Sequence, residues 1–152
     1  MSNHVLSHSE TDDLGEIIAV HCFLEPFDLA FKINALLGLK LVRTDYDISF
    51  KQTEEKYMVY STDPSSEGPL VFLYSNSYIK SSINKSSRLL FDQESTEHSL
   101  MPELNSADYI IKYVDENKTI DSFIKSLSLL KELSSCYKVA ESKIKSKHNL
   151  IL

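Results

Sequence analysis

The sequence predicts an α+β fold, ferredoxin-like in spirit: a two-layer sandwich with a mainly antiparallel sheet of about five to six strands and two helices on one face. Two segments carry apolar residues at helical spacing, one opening at Pro26 and one after Thr119. Each lies between strand-like runs, giving two strand–helix–strand units around further strands. The length of 152 residues suits a single domain, which can bury roughly 68–70% of its unfolded surface.

Residues 1–13 are dominated by Ser, His, Asp and Glu and read as a disordered lead-in, so the folded domain is expected over 14–152. Gly15 to Leu24 is apolar on both faces apart from His21, the pattern of a central strand. Pro26 suits the first position of a helix that stops at Gly38. Only Asp28 and Lys32 are charged between them, so most of the helix circumference is expected to be buried. Leu39–Val42 and Asp47–Phe50 form a second strand broken at Thr44-Asp45. Tyr57–Ser61 forms a third and Leu70–Tyr74 a fourth. Residues 62–68 are a loop by composition. A serine-rich excursion, Ser75 to Ser87, leads to Arg88–Phe91 and then to a polar loop, Asp92–Ser99.

Pro102 cannot donate to a sheet ladder, so Met101-Pro102-Glu103 forms a turn ahead of a strand ending at Val114. Alternation sends Ala107, Tyr109, Ile111 and Tyr113 to the core, and Asp108, Ile110, Lys112 and Val114 to a half-covered face. Thr119 is a suitable N-cap for the second helix, whose stripe is Ile120, Phe123, Ile124, Leu127 and Leu130. Cys136–Ala140 is the last strand, and from Ser142 the tail is basic and then apolar.

With 16 basic against 22 acidic residues the net charge is -6, which argues against nucleic acid and anionic membranes as partners. No run approaches the ~18 apolar residues of a membrane span, and the first residues lack the apolar stretch of a signal peptide. Cys22 and Cys136 lie in apolar strand-like runs and read as reduced, buried thiols of a cytoplasmic protein. His21-Cys22, with His4 and His8, matches no zinc spacing, and neighbouring strand residues point to opposite faces; no metal is expected. Gly15, Gly38 and Gly68 are too far apart to cradle a phosphate, and no cofactor is expected.

The stretch Met101-Pro102-Glu103 and, after three residues, Ala107-Asp108-Tyr109 carries the one pair of carboxylates set in a specific turn-and-strand context. If the chain curls back, Glu103 and Asp108 approach each other, one carboxyl pKa rises and a proton-transfer site results. Alternatively, both carboxylates accept backbone N–H groups and hold the turn. The stretch resembles the IPExxxVDY family of bacterial proteins. Pro102, Glu103, Asp108 and Tyr109 agree with that pattern, while Met101 stands for Ile and Ala107 for Val. The likeness extends to His21-Cys22 with the helix from Phe27 to Leu37, and to Lys145–Leu150. It implies no chemistry, since the family is named for a pattern rather than an activity.

Tyr57, Tyr60 and Tyr74 fall on the strands whose second face two helices cannot cover. Tyrosine suits an interface, so this face is expected to meet a protein partner unless the chain's own excursion or tail covers it. The run Lys143, Lys145, Lys147 and His148 is either solvated or docks on an acidic partner. The expected function is a cytoplasmic protein-binding or adaptor module, with a homodimer through the aromatic sheet face among its expected forms. The alternative is a small enzyme or ligand-binding domain using Glu103, Asp108 and Tyr109.

Overall fold

The computed structural model describes residues 15–50, 55–79, 97–116 and 119–150. The lead-in, residues 1–13, and the excursion from 80 through Arg88–Phe91 lie outside the described residues. In chain order the elements are β1 (Glu16–Cys22), α1 (Pro26–Leu37), β2 (Val42–Arg43), β3 (Ile48–Ser49), β4 (Lys56–Tyr57), β5 (Val59–Ser61), β6 (Leu70–Ser75), β7 (Ser77–Ile79), β8 (Glu97–Ser99), β9 (Tyr109–Val114), α2 (Ile120–Leu127) and β10 (Leu133–Lys138). Short 3-10 turns cover Pro102–Leu104, Glu141–Lys143 and Lys147–Leu150.

The main sheet has six strands in the order β10-β1-β9-β6-β5-β2, every pair antiparallel. With the short strands set aside, β1, α1, β6, β9, α2 and β10 form a split βαβ unit; the two helices and the mainly antiparallel sheet are as the sequence predicts, and the strand order, 4-1-3-2, is supplied by the structure. The strands of the second expected run separate. Val42–Arg43 joins the main sheet through β5, and Ile48–Ser49 pairs with β4 in a two-stranded sheet. The final strand begins at Leu133, ahead of the expected Cys136. Gly15 enters β1 with φ 76°, and a Cβ there would stand 2.5 Å from the Tyr113 carbonyl oxygen, so the approach of β1 to β9 requires glycine.

Each face of the sheet carries its own core. On the helical face, Ile18, Val20 and Cys22 of β1 and Tyr109, Ile111 and Tyr113 of β9 meet Leu29, Ala30 and Ile33 of α1 and Ile120, Phe123 and Leu127 of α2. On the other face, Ile17, Ala19, Tyr57, Tyr74 and Ile110 are packed under Leu100, Met101, Val139 and Leu150. This overturns the expectation of a half-covered face on β9, whose residues from Tyr109 to Tyr113 are all buried. It also overturns the expected interface at Tyr57 and Tyr74. Both are fully enclosed by the chain's own segments, and only Tyr60 remains half-buried, with the Arg43 guanidinium over its ring. Cys136 sits half-buried on the edge strand and Cys22 is buried; both are free thiols, and burial pushes the Cys22 thiol up.

Two helix expectations change. Thr119 does not cap α2 through its side chain; its hydroxyl donates to Asp115 at 2.6 Å. The first helix buries only Leu29, Ala30 and Ile33, so the outer arc carrying Phe27 and Phe31 stays in water. It ends as expected at Gly38, whose φ of 68° places it in the left-handed conformation. Beyond it, the Asn34 side chain both accepts from the Leu41 N–H at 2.8 Å and donates to the Leu41 carbonyl at 3.1 Å.

Leu127 is fully buried between α2 and the sheet. Leu127→Ala is expected to lower stability by about 2–5 kcal/mol in denaturant melts, through lost burial and a residual cavity.

Candidate functional site

The motif residues do not converge. Pro102 opens a 3-10 turn, and its neighbours are held by Asn76, a fully buried residue between β6 and β7. The Asn76 side chain accepts from the Met101 N–H at 2.8 Å and donates to the carbonyls of Leu104 and Ala107, both at 2.9 Å. Its main chain bonds Asp108 and Leu100. Nothing local in the sequence marks Asn76, because all its partners lie at least 24 positions away; the only hint is a polar residue directly after the apolar run of β6.

Pinned in this way, the turn sends its two carboxylates in different directions. Glu103 reaches the tail: Oε2 accepts from the N–H groups of Lys145 and Ser146 at 2.7 Å each, and Oε1 from the Ser146 hydroxyl at 2.7 Å. Asp108 reaches β1: Oδ2 accepts from the Cys22 N–H at 2.8 Å, where the β1–β10 register shifts between His21 and Cys22. Tyr109 donates its hydroxyl to the Leu24 carbonyl. Partial burial pushes the Glu103 carboxyl up, but the hydrogen bonds from Ser146 and the main-chain N–H groups outweigh it and hold the pKa below the usual carboxylate range. The raised carboxyl pKa of the proton-transfer reading is therefore absent at Glu103. Burial pushes the Tyr109 phenol well above its ordinary value. Each of these three side chains is occupied by the chain's own backbone.

Glu103 thus holds the tail through main-chain N–H groups and the Ser146 hydroxyl, while Lys147 pairs with Glu141 of the tail itself at 3.7 Å. Beyond Glu103 it is tied down by Tyr74, whose hydroxyl donates to the Leu150 carbonyl at 2.8 Å, and by Asn149, which donates to the Leu100 carbonyl at 2.9 Å. Lys112 lies buried beneath, its ammonium 4.5 Å from the centre of the Phe72 ring, and burial lowers its pKa.

Other concavities and clusters offer little chemistry. A depression of about 350 Å³ lies at the β2 edge, lined by Arg43, Asp45, Tyr46, Asp47, Ser49 and Lys56. Its two cations are balanced by two carboxylates, and Arg43 is already paired with Asp47 at 2.6 Å. Among the described residues no three His, Cys, Asp or Glu side chains group closely enough to hold a metal. No described helix is long and apolar enough to cross a membrane.

The surface that stands out is apolar. Phe23 is 93% exposed, Phe27 66% and Phe31 68%, spaced four residues apart along the entry and outer face of α1. Exposed Ala35 continues the row. The buried positions Leu29, Ala30 and Ile33 occupy the opposite arc of the helix, so the rings of Phe27 and Phe31 have no route to the core. Asp108 and Tyr109 grip Cys22 and Leu24, the two neighbours of Phe23, and so fix the point from which the row begins. The four-residue spacing of phenylalanines is visible in the sequence; the scarcity of charge in the helix made it read as core. No family model, curated protein or solved structure matches the chain.

Asn76→Ala is expected to be the costliest polar change, on the order of 3 kcal/mol, because it orphans a buried N–H, a buried carbonyl and a part-buried one. Glu103→Gln is expected to cost about 1 kcal/mol at pH 7, at the low end because the carboxylate is partly in water. A depressed carboxyl pKa stabilises above the unfolded value and loses that contribution as pH falls through the folded one. The gap between wild type and Glu103→Gln should therefore close below about pH 4, the ordinary Glu range, in melts across pH. Asp108→Asn should cost less than Asp108→Ala, which should lose about 1–3 kcal/mol by leaving the Cys22 N–H unpaired.

Proposed function

We propose that this chain is a cytoplasmic protein-binding module whose docking surface is the row Phe23, Phe27 and Phe31. The observation that carries the reading is the exposure of Phe27 and Phe31 on one face of α1, with Phe23 exposed just ahead of the helix, while neighbouring α1 residues fill the core. Monomeric proteins scatter single apolar residues over their surfaces, but a contiguous aromatic row is characteristic of interaction sites. Phenylalanine is among the residues enriched at interfaces, where it loses few rotamers on burial. Two free thiols and the acidic balance are consistent with a reducing cytoplasm.

On this reading the Pro102-Glu103 and Asp108-Tyr109 motif is a positioning element. It sets the strand-to-helix turn from which the phenylalanines project and anchors the tail over the far side of the sheet. We propose membership of the IPExxxVDY family on the same four residues.

The test is the doubly substituted chain Phe27→Ser with Phe31→Ser. Both positions are exposed, so unfolding free energy should change by no more than about 0.5 kcal/mol. In size exclusion of native-cell lysate at endogenous level, the wild-type protein is expected to elute at a larger apparent mass than the variant. Identical elution of the two would overturn the docking reading.

A further inference from the structure

We propose that His98 is a phosphoryl acceptor and that Glu55 is its positioning residue. This goes beyond the docking reading and does not rest on it. The site is built from the two small sheets, β3–β4 and β7–β8. Glu55 precedes β4, and alternation puts it on the same side as Tyr57, two residues on. At 8% exposure it is the one buried carboxylate among the described residues. Its Oε1 accepts from the Tyr57 hydroxyl at 3.1 Å, and its Oε2 lies 3.1 Å from Nδ1 of His98 on β8. Tyr57 is fully buried, so close packing holds its hydroxyl in place and the carboxylate with it. Tyr78 stands opposite His98 in the β7–β8 ladder and meets the Tyr57 ring edge-on, 6.2 Å between centroids. One imidazole, one carboxylate and two phenols thus form a cluster drawn from both small sheets.

The chemistry follows from the tautomer. A carboxylate only accepts, so in the neutral ring Nδ1 carries the proton and Nε2 the lone pair. The His98 side chain is 47% exposed, so the ring reaches water although its orienting carboxylate does not. Histidine is among the side chains that act as nucleophiles in group transfer. With a phosphoryl donor, the Nε2 lone pair attacks phosphorus and an Nε2–P bond forms. The bond from phosphorus to the leaving group breaks, and its electron pair departs with that group. The ring, still protonated at Nδ1, becomes cationic, and the Glu55 carboxylate already stands 3.1 Å from the new charge. Burial of that carboxylate makes the pairing stronger than it would be in open water. A transferred phosphoryl group is charged and carries three strong acceptor oxygens, so it stays solvated and needs no apolar pocket.

Two other histidines supply the contrast. The Nε2 of His21 lies 3.3 Å from the Tyr137 hydroxyl, and the two rings are stacked. His148 is exposed like His98, but pairs with no carboxylate among the described residues.

The experiment incubates the purified full chain at neutral pH with potassium phosphoramidate, a small donor whose leaving group is ammonia. Tandem mass spectrometry locates the phosphate among the five histidines, and phosphorus NMR identifies the substituted nitrogen. His98 is expected to react about tenfold faster than His148 or more, and at Nε2. Glu55→Gln keeps an acceptor for Nδ1 but removes the charge. It is expected to bring the His98 rate to within about threefold of His148, whose own rate serves as the internal standard. Equal rates at His98 and His148 in the wild type, or substitution at Nδ1, would overturn the proposal. So would full His98 reactivity in folded Glu55→Gln, since exposure alone would then account for it. If melts show that Glu55→Gln does not fold, the wild-type ratio and the position of the adduct decide between the same two outcomes.

Discussion

The amide of Asn76 is the point on which the central architecture turns. A proline-led turn set against a sheet, with its flanks Met101 and Ala107 buried, leaves main-chain groups without ladder partners, and each buried unpaired group would cost on the order of 1–3 kcal/mol. One asparagine side chain answers three of them, at Met101, Leu104 and Ala107, and its own main chain bonds the residues on either side of the turn. The end of β6, the turn and the start of β9 are thereby fixed as one unit. From that unit Glu103 extends to one side of the sheet and Asp108 and Tyr109 to the other. A motif that invites a catalytic reading in one dimension is a three-way mechanical joint in space.

The two sides of the sheet are finished in different ways. One is covered by regular helices whose inward stripes, Leu29, Ala30 and Ile33 with Ile120, Phe123 and Leu127, are short and already filled. The other is covered by turns and a tail that contribute few apolar side chains, among them Leu100, Met101, Val139 and Leu150, and depend on specific hydrogen bonds for their placement. Because both sides are closed, the sheet offers no face to a partner. Among the exposed apolar residues, Phe27 and Phe31 stand on the outside of a helix, where close packing beneath prevents the rings from turning in.

The helical side of the fold was legible from local pattern. The stripe of α2, the central place of β1 and the stop at Gly38 each rest on residues within a few positions of one another. The other side was not, because its determinants are pairings between distant positions: Glu103 with Ser146, Tyr74 with Leu150, Asn76 with Met101. Alternation marked Lys112 as half-covered, yet it is buried under Phe72 and the tail. Periodicity located the phenylalanines on a helix but not their direction, since a helix poor in charge looks buried whichever way it faces. Thr119 misled for the opposite reason. Its composition suits a cap, but Asp115 and Tyr113 claim the hydroxyl first.

The tail clamp also bears on the order in which the molecule is made. Glu103 waits for donors 42 and 43 positions further on, and Tyr74 for a carbonyl 76 positions away. A growing chain at the ribosome can form β1, α1 and the centre of the sheet while the far side still stands open. The face carrying Ile17, Ala19 and Ile110 then has Leu100 and Met101 for cover but not yet Val139 and Leu150. At synthesis rates of about 5–20 residues per second, the interval between β9 and Leu150 lasts on the order of seconds. The nascent protein therefore passes through a stage in which part of this apolar face is temporarily uncovered, available to a chaperone and gone once the last turn locks.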